Sequence, residues 1–158
     1  MSEAPKPEFA LQRIYLSDVS FEAPNSPEVF MGNEKPRVDV KLDAKNRKVN
    51  DELYEVTVKI TAQVTFGDKT AFLAEVQQSG AFRVVGIAGE NLDHTLGAFC
   101  PNILFPYARE AVDGLVVKGG FPPLMIAPVN FEAIYADRKK REAEKAEQQP
   151  TQPQPTQQ

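Results

Sequence analysis

The stretch YEVTVKITAQVTF, residues 54–66, constrains the fold of this chain more than any other. Tyr54, Val56, Val58, Ile60, Ala62, Val64 and Phe66 share one parity; Glu55, Thr57, Lys59, Thr61, Gln63 and Thr65 share the other. Successive strand side chains point to opposite faces, so this alternation predicts one long strand with a buried face and a wet face. A single wet face implies an antiparallel sheet, because parallel sheets are covered on both sides. Gly67-Asp68 then supplies a tight turn, and Lys69–Val85 runs back as a second long strand.

Two strands precede this hairpin. In RIYLSDVSFE, Tyr15, Val19 and Phe21 alternate with Asp18, Ser20 and Glu22. In RVDVKLD, Val38, Val40 and Leu42 alternate with Arg37, Asp39, Lys41 and Asp43. A proline-rich connection separates them, and Ala44–Asp51 reads as a polar turn. After Gly89 the spacing becomes helical, with Leu92, Leu96, Phe99 and Ile103 three and four apart. Asn91 is the expected N-cap, with Asp93 in the first turn. Pro101 and Pro106 are expected to kink or interrupt this helix, and Gly114 and Gly119-Gly120 to break it. A last helix is expected after Asn130, with Phe131, Ile134 and Tyr135 as its apolar stripe; beyond Asp137 it turns wholly polar and should fray. Strands first and helices second predict an α+β fold, a four-stranded antiparallel sheet with helices packed on one face.

The 158 residues suit one domain, placed at 9–136, behind a flexible arm at 1–8. Residues 137–158 read as a charged helix end and a disordered Gln/Pro tail, since EQQPTQPQPTQQ has no apolar area to offset its ordering entropy. The formal charge of −4 argues against nucleic acid as the main partner. Direct membrane insertion is not expected, because no apolar stretch approaches the ~18–20 residues of a span. The N-terminus lacks the apolar core of a signal peptide. A single cysteine, Cys100, forms no internal disulfide, so a cytoplasmic location is expected.

Candidate chemistry is sparse. His94, the one histidine, has no G-x-S-x-G nucleophile to serve and reads as structural or surface. Cys100, beside Pro101 among apolar residues, reads as a small buried hydrophobe. One Cys and one His cannot found a zinc site, so no metal is expected. GIAGENLDH lacks both phosphate-loop signatures, and Glu90 would repel a phosphate. The run RKKR at 138–141 is balanced by following glutamates and reads as a solvated helix face. Neither an enzyme nor a cofactor is implied.

What remains is surface. FCPNILFPYARE (99–110) and GGFPPLMIAPVNF (119–131) carry more apolar side chains than one helix layer buries inside a subunit. The surplus is expected to line an oligomer interface, a groove, or both. A proline-stiffened apolar wall beside free strand edges suits an extended polypeptide, bound through its backbone and loose side-chain pockets. On the wet side, Asp18 and Glu22 share a face of the first strand, and Leu73 and Glu75 a face of the fourth. Pattern alone favours ordinary solubility for these acids.

QRIYLSDVSFEAPN, TAFLAEVQQSG, LGAFCPNILFPYARE and FPPLMIAPVNF, in this order and spacing, resemble the SecB family of bacterial protein-export chaperones from about Ala10 to Tyr135. The resemblance implies a homotetramer, a dimer of dimers, that binds unfolded precursor proteins without ATP and hands them to SecA. It assigns the SecA contact to an acidic sheet face, here Asp18, Glu22, Leu73 and Glu75, against the solubility reading. It places the substrate groove at Val40, Leu42, Tyr107, Phe121, Leu124 and Ile126. Ala74, Val76 and Gln78, at the edge of the fourth strand, would serve subunit assembly. The alternatives are a SecB-like chaperone dedicated to one client of a toxin–antitoxin system, and a small-molecule-binding α+β oligomer.

Overall fold

The computed structural model describes residues 3–148, so of the disordered tail predicted for Glu147–Gln158 all but its first two residues lie outside the described residues. Strands β1 (Glu8–Glu22), β2 (Pro36–Lys48), β3 (Leu53–Phe66) and β4 (Lys69–Val85) form one antiparallel sheet in the order β1-β4-β3-β2. The apolar parity read from residues 54–66 is the buried one: Val56, Val58, Ile60 and Ala62 are fully inaccessible. In β4, Phe72, Ala74, Val76, Phe82 and Val84 continue the same inner face.

Over that face runs α1 (Gly89–His94), one π-helical turn at Thr95–Phe99, and α2 (Cys100–Lys118). The stripe Cys100, Leu104, Ala108, Val112 and Val116, spaced by four, is buried where α2 lies on β3 and β4. An irregular segment, 119–130, leads to α3 (Phe131–Glu147). The α+β architecture therefore stands as the sequence predicts.

Several local expectations are corrected. β2 continues through Ala44 to Lys48 because Ala44 and Asn46 stay in register with Val58 and Val56. The polar turn shrinks to the residues around Asn50, whose side-chain oxygen accepts from the backbone N–H groups of Glu52 and Leu53. Helix α1 begins at Gly89, with Ala88 at the N-cap; Asn91 lies inside it and its carbonyl accepts the Thr95 hydroxyl.

The prolines do not break the helix. The π turn falls just ahead of Pro101, absorbing the lost N–H donor. Pro106 and Asn102 are both exposed, so the carbonyl that Pro106 leaves unpaired faces water. Gly114 sits within α2, whereas Gly119-Gly120 does end it: Gly120 takes φ 87° and the Phe121 N–H returns to the Val116 carbonyl. Helix α3 includes the polar stretch beyond Asp137. Asn130 caps its start through the Ala133 N–H at 3.0 Å, and it runs to Glu147.

One contact fixes how closely α2 sits on the sheet. Gly80 lies where a Cβ would come within 2.7 Å of the Phe82 ring and 2.9 Å of Leu104 Cδ2. Both side chains are fully buried and have no room to yield. Gly80→Ala is therefore expected to destabilise the protein by about 1–3 kcal/mol, read as a lower urea midpoint at unchanged m.

Candidate functional site

The inner face of β2 is the exception to the buried core. Val38, Val40, Leu42 and Ala44 pair with the buried Val64, Ala62, Ile60 and Val58, yet Val38 is 51% and Val40 38% exposed. α2 does not reach them. Segment 119–130 walls one end of the strip, where Phe121 and Leu124 join Pro36, Val38, Val64, Phe66, Phe72 and Pro122-Pro123 around a recess of about 280 Å³. An apolar cavity of about 150 Å³ already admits a benzene ring, so this recess is large enough for an aromatic side chain. Phe30, from the connection between β1 and β2, packs on Phe121 at 5.0 Å, and Phe121 on Phe72 at 4.9 Å. The Asp113 carboxylate holds the wall by accepting from the Leu124 N–H at 2.9 Å.

The strip's other end meets α3. Leu42, Asp43 and Ala44 face Gly97, Phe131, Ile134, Tyr135 and Arg138 around a smaller recess of about 110 Å³. Among the described residues of α3 only Phe131 is buried, so polar contacts do much to seat the helix. The Tyr135 hydroxyl donates to Asp93 at 2.9 Å, Lys139 pairs with the same carboxylate, and His94 meets Glu132 at 2.6 Å. The Lys139 ammonium, aided by Tyr135, holds the Asp93 carboxyl below its ordinary range. Part of the RKKR run is thus a clasp between α1 and α3 and not only a solvated face.

The outer face of the sheet brings the acidic residues together. In the β1–β4 register Glu22 lies opposite Leu73, Ser20 opposite Glu75, and Asp18 opposite Gln77, and cross-strand partners point the same way. Glu75 has Lys59 at 3.4 Å; among the described residues Asp18 and Glu22 have no ion-pair partner. Beyond a bulge between Leu16 and Asp18, the Ser17, Ser79 and Thr57 hydroxyls form a chain across three strands at 2.8 and 2.7 Å. The Tyr15 hydroxyl donates to Glu55, which also binds Arg47 at 2.9 Å; burial, with Glu55 behind it, pushes the phenol up to about 12.

Other expected site residues fall elsewhere. β4 is an internal strand, not an edge. Ala74 and Val76 are fully buried and Gln78 is 4% exposed, its amide donating to the Tyr15 carbonyl at 3.0 Å. No face of these three is left at a surface. Tyr107 is not at the groove. It stands 200° around α2 from Phe105, which meets Phe131, so it projects on the opposite flank. Ile126 is half-buried on the groove wall, and Val40 lies between the two recesses by register.

A family model described as preprotein translocase subunit SecB matches residues 2–142. The chain belongs to the SecB family. It is 58% identical over 142 residues to the protein-export protein SecB of Chromohalobacter salexigens, covering 89% of this chain and 87% of that one. The SecB of Hahella chejuensis is likewise 58% identical over 142 residues, with 89% of each chain covered. Among solved structures, a SecB-like chaperone of Mycobacterium tuberculosis, in complex with a peptide from an antitoxin, superposes with a TM-score of 0.64. It is 16% identical and covers 77% of this chain and 90% of that one, which shows a shared fold. SecB proteins are export chaperones and not enzymes. Cys100, fully buried, and His94, paired with Glu132, have no catalytic arrangement between them.

Sequence reasoning missed Val38, Phe66 and Phe72 in the lining of the larger recess, and Phe30 packed against Phe121. Val38 carried the signal, sharing its parity with Val40 and Leu42. Phe66 and Phe72 read as core, and only the recess shows that their outer edges line a wall. The clasp at Asp93 gives a direct test of how α3 is held. Asp93 has a depressed pKa, so its contribution is complete above its ordinary 3.8 and lost as pH falls below that value. Asp93→Asn is expected to speed amide exchange across Tyr135–Glu147 roughly threefold at neutral pH, with β3 and β4 unchanged.

Proposed function

We propose that this protein holds unfolded precursor proteins in the apolar strip between β2 and segment 119–130, and passes them to SecA through the acidic outer face of β1 and β4. The observation that carries this reading is an apolar strand face left half-exposed beside a proline-stiffened wall. Its affinity comes from apolar burial and from backbone pairing along the free edge of β2, so no nucleotide is required. Both terms are nearly blind to sequence and are denied to a folded protein. The protein acts in the cytoplasm, where precursors are made.

The second apolar strip supports assembly into a homotetramer. Leu16 and Val19 lie on the inner side of β1, 51% and 40% exposed. The stripe Phe99, Ile103 and Tyr107 of the helical layer lies on the same flank, since Phe99 meets Phe9 of β1 at 5.2 Å. Tyr107 thus passes from the groove to the assembly surface, and β1 takes the role first expected of Ala74, Val76 and Gln78. Several grooves on one tetramer raise avidity for a long unfolded chain. The antitoxin-dedicated alternative is not favoured, because the high identity is to protein-export proteins.

The test separates the surfaces. The purified protein, without nucleotide, is mixed with a denatured, slow-folding precursor, and light scattering is followed on dilution. Suppressed scattering, with a folded control ignored, is the expected result; unimpeded aggregation would remove the chaperone reading for this groove. Val38→Asp is expected to weaken holding about tenfold, a charge in an apolar contact, while leaving SecA association unchanged. Glu22→Lys or Glu75→Lys should do the reverse, most clearly at low salt. Unaltered SecA affinity in both lysine variants would refute the acidic-face assignment.

A further inference from the structure

Asp113 stands where its own helix gains nothing from it. It lies inside α2, ahead of the helix end at Lys118, and Gly114 follows it. Aspartate and glycine are both poor residues for a helix interior, aspartate because its carboxylate competes for nearby backbone N–H groups. Asp113 is half-buried, and among the described residues its carboxylate has no ion-pair partner. A residue that breaks a local rule without local compensation points to a task elsewhere.

That task is at the groove wall. One carboxylate oxygen, Oδ1, accepts from the Leu124 N–H at 2.9 Å and from the Met125 N–H at 3.4 Å. Leu124 itself lines the larger recess. Among the described residues, the stretch Pro122–Val129 makes no other hydrogen bond to the protein. Pro122, Pro123 and Pro128 have no N–H to give, and the stretch forms no helix or strand. Its remaining anchors are apolar, through Leu124, Ile126 and Val129 packed against the core. Met125 holds φ at 50°, a conformation uncommon for a residue with a side chain, so its surroundings must fix it. The bond from Asp113 is the polar contact that does so.

We propose that Asp113 is a positioning residue of the groove: by holding the N–H groups of Leu124 and Met125 it keeps the wall ordered before a client arrives, and so raises affinity for unfolded chains without touching them. This rests on the client-holding reading of the groove. Once untied, the wall samples many conformations, and a client has to order it on binding. That ordering entropy is subtracted from the affinity. The coupling is reciprocal, as any coupling between two equilibria must be. If a loose wall weakens client binding, a bound client must tighten a loose wall by the same factor. A wall already tied by Asp113 has less left to gain.

The test compares the full-length wild type with Asp113→Ala and Asp113→Asn. Alanine is the better helix former, so α2 survives the change, while asparagine keeps Oδ1 as an acceptor. Amide hydrogen exchange is followed across the wall with and without a denatured, slow-folding precursor, together with affinity for that precursor and for SecA. Asp113→Ala is expected to speed exchange at the Leu124 and Met125 amides with β3 and β4 unchanged. It should also hold the precursor roughly fivefold less tightly and bind SecA as wild type does. Asp113→Asn is expected to recover most of the holding. Bound precursor should slow exchange across the wall by a larger factor in Asp113→Ala than in wild type, which a residue serving fold stability alone would not cause. Wild-type exchange at the two amides in Asp113→Ala overturns the inference while the chaperone reading stands. So does a loosened wall that still holds precursor at wild-type affinity, or an asparagine variant that keeps the wall protected yet holds as poorly as alanine. If the wild type holds no precursor, the groove reading fails and this inference falls with it.

Discussion

A single helix is narrower than the sheet it covers. An α-helix with its side chains is about 10–12 Å across, whereas four strands at about 4.8 Å spacing present a surface wider than that. α2 therefore buries the inner faces of β3 and β4, the two strands with the densest apolar parity, and leaves the inner faces of both edge strands partly uncovered. Two apolar strips result, on opposite flanks of one helix. On the β2 side, segment 119–130 and α3 add walls and make a groove with two recesses. On the β1 side no wall is added, and Leu16 and Val19 lie open beside the Phe99–Ile103–Tyr107 stripe. The same shortage of cover thus leaves two strips, and what differs is the wall.

That wall explains the prolines. Pro122, Pro123 and Pro128 fix φ and deny the segment a helix, while the Gly119-Gly120 turn ends α2 just before it. Asp113 then ties the wall back to α2 through the N–H groups of Leu124 and Met125. A surface held open in this way does not collapse onto Val38 and Val40, and a client need not supply the free energy to order it.

Most of the architecture was legible because parity is a local signal. Residues 54–66 alone gave the sheet type, the buried face and the helix-covered side. Strand order was not legible: β1 pairs with β4 across a long sequence separation, and no residue in either strand says so on its own. That single fact moved Ala74, Val76 and Gln78 from a presumed edge into the core. Tyr107 failed for a geometric reason. Aromatics close in sequence on a helix diverge by 100° per residue, so the 99–110 stretch divides between core, groove side and opposite flank. The π turn was hidden as well, because it shows only as a helix that survives Pro101.

The acidic face depends on the same register. Asp18 and Glu22 are separated by about 14 Å along β1, four steps of about 3.4 Å, and Glu75 lies across from Ser20 between them. Each is then about 8 Å from Glu75, one Debye length at physiological ionic strength. At lower salt the three carboxylates act as one source of negative potential; at physiological salt each is partly screened from the next. Lys59 offsets Glu75 alone and leaves the β1 pair uncompensated. A basic partner would therefore be steered chiefly to β1, with Leu73, facing Glu22, as the apolar point of contact once it arrives. Because parity sends these side chains away from the core, the proposed contact on this face would leave the inner face of the same sheet free for a client.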